Sequence, residues 1–205
     1  RYCRDGTGMT PWRPIRTVAL GVLFTAVILI YSFYQPFIPG AVYEAIPAQA
    51  TFVYRANSLE ELLESPVCGQ LDKALGAGNS LKELLADNGW TDLAAASEIA
   101  VADIPFRQAG FNRTWAAASW VGWRSPWLRW KLEHARNPNL KLLGKRATWP
   151  IWTYDSPEIA RGMHLTFALT DKLFLVCLSE KPADIVLLLD AYDKRIPSTK
   201  TTNQG

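Results

Sequence analysis

Histidine and methionine each occur only twice in the 205 residues, and cysteine three times. These shortages narrow the chemistry. Cys3, Cys68 and Cys177 form no C-x-x-C pair, so neither a zinc cluster nor a thioredoxin-like motif is available. His134 and His164 lie on separate segments and build no H-E-x-x-H. The chain also lacks G-x-S-x-G, G-x-x-x-x-G-K-[ST] and G-x-G-x-x-G. A nucleophile elbow, a Walker-type phosphate cradle and a dinucleotide fingerprint are thereby excluded. Asp155 and Glu158 flank Ser156-Pro157, where a helix start accounts for both carboxylates without hydrolase chemistry. A lone histidine on a structural element is more often a hydrogen-bonded boundary residue than a base. No catalytic, cofactor-binding or metal-ligating residue is assigned.

Charge of one sign is missing locally. Residues 56–103 hold nine acids against Lys73 and Lys82, a net of −7. Residues 104–146 hold nine bases against Glu133, a net of +8. This split describes either a surface with two electrostatic faces or two halves that neutralise each other across an internal contact. An apolar fraction of 49% with 20% charged residues excludes a disordered chain.

The longest gap in charge lies near the N-terminus. TVALGVLFTAVILIYSFY, from Thr17 to Tyr34, is eighteen residues without a charge, and the gap extends to Tyr43. Residues 17–39 are long enough for a transmembrane helix through a bilayer core of about 30 Å. Val18, Leu23 and Ile28 would face lipid, and Tyr31 and Tyr34 would sit at headgroup level. Arg1, Arg4, Arg13 and Arg16 precede the run against Asp5 alone. The positive-inside rule then places residues 1–16 in the cytoplasm and the chain beyond the span on the extracytoplasmic side. Ala48-Gln49-Ala50 resembles a signal-peptidase site, but it stands far beyond the apolar run and cuts directly before the first strand. RYCRDGTG is unpatterned, and the layout from Met9 onward reads as the natural start.

Pro36, Pro39 and Gly40 end the span and lead into an extended neck, residues 40–49. The folded domain is expected over 50–196, followed by a polar tail, 197–205. ATFVYR reads as a strand. Ser58 with Glu61 and Ser80 with Glu83 are capping boxes, and Ser65-Pro66 restarts a helix between them. SEIAVADI and TWAAASWVGW are strands around a turn at RQAGFNR. SPWLRWKLEHAR is a helix, PIWTYD, MHLTFAL and KLFLVCL are strands, and Pro182 opens a last helix bearing Ile185, Leu188, Leu189 and Tyr192. Strands in hairpin pairs define an α+β fold, with a mostly antiparallel sheet and helices on one face. Cys68 and Cys177 are left open as a disulfide pair, although Cys177 in LFLVCL has the setting of a small buried hydrophobe.

The stretch WVGWRSPWLRW, residues 120–130, has four tryptophans in eleven residues. Strand periodicity puts Trp115, Ala117, Ser119, Val121 and Trp123 on one face and Trp120 on the other. On the following helix Trp127, Trp130 and His134 share a face beside Leu128 and Leu132. Three readings compete: core packing, an interface with a partner protein or the membrane surface, and a stacking platform for glycans. The candidate interaction residues are Trp123, Arg124, Trp127, Arg129, Trp130 and Lys131. Nucleic acid is not expected outside the cytoplasm.

IPAQATFVYRANSLEELLESP, and later LTFALTDKLFLVCLSEKPADIVLLLDAY, resemble uncharacterised bacterial single-pass membrane-anchored proteins with a large extracytoplasmic domain of unknown function. The resemblance implies no catalytic residues. The function expected is that of a non-catalytic anchored accessory or scaffold protein, bound to the bilayer through residues 17–39 and to a partner subunit or lipid headgroups through the Trp/Arg region. A cell-envelope enzyme or a glycan-binding (peptidoglycan) module is the alternative. A deep pocket holding a histidine beside a carboxylate would favour that alternative, and an exposed Trp/Arg patch without a cleft would favour the scaffold.

Overall fold

The computed structural model describes residues 12–33, 36–76, 80–87, 98–105, 113–156, 159–160 and 162–199. The chain divides into two units, residues 1–35 and 36–205. The first contains α1 (Trp12–Phe33), a helix of 22 residues and so about 33 Å long. The side chains described in it run from Val18 to Ile30. Among the described residues no helix is long and apolar enough to cross a membrane. Tyr31 and Tyr34 lie outside the described side chains, as do residues 1–11, on which the Met9 expectation falls.

The second unit is built on one seven-stranded antiparallel sheet, ordered β1-β2-β3-β7-β6-β5-β4. The strands are β1 (Phe52–Ala56), β2 (Ile99–Pro105), β3 (Arg113–Trp120), β4 (Leu140–Arg146), β5 (Trp149–Tyr154), β6 (His164–Leu169) and β7 (Leu173–Ser179). Two up-and-down meanders, β1-β2-β3 and β4-β5-β6-β7, join where β3 lies antiparallel to β7. The seam puts β7 near the middle of the sheet, which is why LFLVCL is apolar at both parities rather than alternating. β4, unassigned from the sequence, is an edge strand with exposed Lys141 and Lys145 and a bulge between Leu142 and Gly144. Charges and a bulge are the usual protection of an unpaired edge.

Helices cover both faces of the sheet, not one as expected. On the first face lie α2 (Leu59–Glu64), α3 (Pro66–Leu75), α4 (Leu81–Asp87) and α5 (Ser125–Glu133). They bury Leu62, Leu75, Leu84, Leu128 and Leu132 in one cluster with Trp115, Phe167 and Phe174. On the second face α6 (Ile185–Tyr192) buries Ile185, Leu188 and Leu189 against Ala116, Ala118 and Cys177. Both parities of β3 and β7 are apolar, so a single covering layer would leave one of them in water.

Residues 41–46, read as an extended neck, include a 3₁₀ turn (Ala41–Glu44) packed on this second face, with Ala41, Val42, Ala45 and Ile46 fully buried. The polar tail begins inside the fold as well. Ala48 N donates to the Pro197 carbonyl at 3.0 Å, and Thr199 N donates to that of Ile46 at 2.9 Å. The buried carboxylate of Glu98 holds the turn's start, accepting the Gly40 N–H at 2.9 and 3.1 Å and pairing with Arg55 Nε at 2.8 Å.

The cap at Ser58 forms as read: its hydroxyl accepts the Glu61 N–H at 3.1 Å. Glu61 reaches back to Asn57 N at 2.7 Å, one residue earlier than the standard reciprocal bond. Cys68 and Cys177 are both buried free thiols. Cys177 belongs to the cluster on the α6 face, whereas α3, which carries Cys68, packs on the other, so the sheet stands between them.

Candidate interaction surface

β3 ends at Trp120, three residues short of the strand expected from its alternation. The chain then turns at Gly122, whose φ of 51° is left-handed. A Cβ there would lie 3.0 Å from Trp120 Nε1, so conformation and space both disfavour a side chain. A short 3₁₀ turn, Gly122–Arg124, follows, and Ser125 with Pro126 opens α5. The turn is tied to the β6–β7 hairpin: Val121 N and Gly122 N both donate to the Lys172 carbonyl, and the Ser125 hydroxyl donates to that of Thr170. That hairpin is itself held, because Lys172 Nζ pairs with Glu44 at 2.8 Å and the Tyr192 hydroxyl bonds Asp171.

This anchorage decides which aromatic rings face out. Leu128 and Leu132, one turn apart, are 0% and 5% exposed, whereas Trp123, Trp127 and Trp130 are 64%, 49% and 58% exposed. Two leucines suffice to dock a nine-residue helix, and the tryptophans stay on its outer side. Trp115 and Trp120 are core residues on opposite faces of β3, and Phe37 meets the Trp120 ring edge-on at 5.7 Å. The strand expectation for Trp123 is therefore corrected. The ring lies beyond the strand, on the outside of the turn.

The outer surface is organised by its own contacts. Lys131 Nζ stands 5.3 Å from the centre of the Trp127 ring, within cation–π range. Trp130 stacks on His134 at 4.9 Å, and His134 Nδ1 lies 2.9 Å from the Trp130 carbonyl oxygen. Arg129 Nε pairs with Glu133 at 3.0 Å along the helix, and Arg124 is half-buried at its start. All six candidate residues thus belong to one turn-and-helix segment, three exposed rings with four bases among them once Arg136 is included. On β4, Leu142 and Leu143 are exposed as well, a feature sequence reading missed because the strand itself was missed.

The other titratable candidates do not assemble. His164 Nδ1 is 3.9 Å from Asp155 Oδ1, both side chains are well exposed, and the same Asp155 pairs with Lys141 at 3.3 Å. His134 is exposed on α5. Among the described residues no group of three or more His, Cys, Asp or Glu is placed to hold a metal ion. Burial pushes the Cys177 thiol up to about 12, with hydrogen bonds from Ser179 and Thr166 opposing the rise, so it remains a neutral packing group. Tyr192 is raised further by burial and by its bond to Asp171.

The charge split acquires a geometry. The acidic stretch forms α2, α3, α4 and most of β2, and the basic stretch supplies β3, α5 and β4, the last an edge strand. The ion pairs of Arg129, Lys141 and Arg146 go to Glu133, Asp155 and Asp190, all outside the acidic stretch. Comparison with protein-family models, curated proteins and solved structures finds no match.

Proposed function

We propose that this chain is a non-catalytic, membrane-anchored accessory protein whose α5 surface binds anionic lipid headgroups. The observation that carries the reading is the division of labour along α5 and the turn before it. Leu128 and Leu132 fill the core, and three tryptophans stay exposed among bases. Indole rings favour the headgroup region, where one end of the ring is apolar and the other hydrated. Basic side chains near an anionic bilayer each add about 1 kcal/mol of attraction. Lys131, lying over Trp127, keeps its charge at the surface while its stem covers the ring. A hydrolytic site draws no support from either histidine, since both stand on open surface rather than in a cleft.

The anchor in this proposal is residues 17–39, with the N-terminus cytoplasmic and the sheet domain outside a bacterial inner membrane, the arrangement implied by the family resemblance. Supporting it are the helical length of α1 and the exposure of Val18, Leu23, Phe24, Ile28 and Ile30 all round its described part. Thr25 satisfies its hydroxyl on the Gly21 carbonyl at 2.9 Å, as a polar side chain in hydrocarbon must. Anchoring keeps the α5 surface at high effective concentration near lipid, so weak headgroup affinity is sufficient.

The test is the full chain reconstituted into vesicles with and without brominated phosphatidylglycerol. Bromolipid should quench a component of the tryptophan emission that the W123F/W127F/W130F variant lacks, and salt should weaken that quenching. Equal quenching in wild type and variant refutes headgroup binding by α5. So does a photo-crosslinker at position 127 that captures one discrete protein, rather than lipid, in native membranes.

A further inference from the structure

We propose that the layer between the first face of the sheet and α2–α4 is a binding site for a small, mostly apolar molecule bearing one hydrogen-bonding group, of the size and kind of phenol. A cavity of about 120 Å³ lies there, lined by eighteen of the described residues. That is close to the roughly 150 Å³ of an apolar cavity known to accept a benzene ring. Its origin is visible in β3. Ala117 and Ser119 are small residues at the centre of the face turned toward the helices, set opposite Val101 with Val176 and Ile99 with Phe174. Leu62, Leu75 and Leu84 form the helical wall. The low floor under these leucines leaves a gap that neither layer closes.

The second observation is chemical. Ser119 lines this cavity, is 6% exposed, and its hydroxyl meets no hydrogen-bond partner among the described residues. A buried hydroxyl without a partner is uncommon in folded proteins. Water is a poor occupant, because buried waters typically make about three hydrogen bonds. Among the described residues of the lining, the only polar side-chain group besides Ser119 is the donor-only indole nitrogen of Trp115. A ring or short hydrocarbon with one hydroxyl or carbonyl matches both features, with its body among the leucines and its polar atom on Ser119. The site involves none of the exposed α5 tryptophans and stands independently of headgroup binding.

The experiment uses the full chain in phospholipid nanodiscs with ¹³C-methyl leucine, titrated with phenol and with benzene. Both should shift the Leu62, Leu75 and Leu84 methyl resonances saturably, with phenol at least threefold tighter. Ser119→Ala should remove the preference and keep benzene binding. Ala117→Ile, which fills the floor, should abolish the saturable shifts. Absence of saturable shifts in the wild type, equal affinity for the two probes, or a phenol preference that survives Ser119→Ala overturns the proposal. The Ser119→Ala comparison decides the matter by itself if Ala117→Ile fails to fold.

Discussion

Removing the more exposed partner of the Arg55–Glu98 pair should cost more than neutralising the buried one. Glu98 is fully buried, whereas the Arg55 side chain is 44% exposed. In Glu98→Gln the guanidinium turns back to water, and the new amide oxygen still accepts the Gly40 N–H. The loss is then a charge-assisted bond replaced by a neutral one, about 1–2 kcal/mol. In Arg55→Ala the carboxylate keeps, of its described partners, the Gly40 N–H alone, and burial denies it water. Leaving a buried charge in that state costs about 3–5 kcal/mol. The double variant Arg55→Ala/Glu98→Gln contains no stranded charge and should be more stable than Arg55→Ala alone. Urea titration of the full chain in maltoside micelles, followed by tryptophan emission, reads this directly. With a slope of about 2 kcal/mol per molar urea, Arg55→Ala should lower the midpoint by about 1.5–2.5 M and Glu98→Gln by less than 1 M. A double variant weaker than Arg55→Ala would falsify the assignment of the cost to an unpaired carboxylate.

Three further outcomes follow from the same structure. Trp130→Ala should lower stability by only about 1 kcal/mol, because more than half the ring is already in water, whereas Leu128→Ala should cost about 2–5 kcal/mol; equal urea midpoints for the two would place Trp130 in the core. Cys177 has a folded pKa raised to about 12, so its contribution is complete below the unfolded thiol's value near 9 and is lost as pH rises from there. Stability relative to Cys177→Ala should fall by up to about 1.4 kcal/mol per pH unit over that window, and a flat difference between pH 9 and 11 would contradict it. Finally, a cysteine at exposed Glu180 should react with an impermeant maleimide in intact cells whose outer membrane is permeabilised, with little background from buried Cys68 and Cys177. Reaction only after rupture of the inner membrane would reverse the proposed orientation.

The local elements were legible where a residue acts on its neighbours. Ser58 and Glu61 cap α2, Pro66 starts α3, and Ile185, Leu188 and Leu189 form the buried stripe of α6, each as its spacing implies. What escaped was set by partners distant in sequence. Leu140–Arg146 has no alternation of its own and becomes a strand because β5 pairs with it along one side. Ala41–Ile46 looks like a tether until Glu98, 58 residues on, fixes Gly40 and the second face of the sheet receives the alanines. The number of covered faces failed for the same reason. Alternation in β3 sorts Trp115, Ala117 and Ser119 from Ala116, Ala118 and Trp120, but nothing in it says that both sets will be roofed.

The interaction surface was half legible, and the half that was not turns on one glycine. Periodicity separated the face of Trp127 and Trp130 from the adjacent leucines, but it left open which of the two would dock. Continuing the period of two through Trp123, however, assumed that the strand continued. Gly122 in a left-handed conformation ends it, redirects the chain, and leaves Trp123 exposed, as Trp127 and Trp130 are, instead of beneath the helices with Trp115. The charge pattern is carried by chain order. The acidic stretch runs through α2, α3, α4 and most of β2, and the basic stretch runs from β3 through α5 to the edge strand β4. Chain order thus sets Arg124, Arg129, Lys131 and Arg136 among the exposed tryptophans, and the proposed binding of anionic headgroups rests on that basic setting.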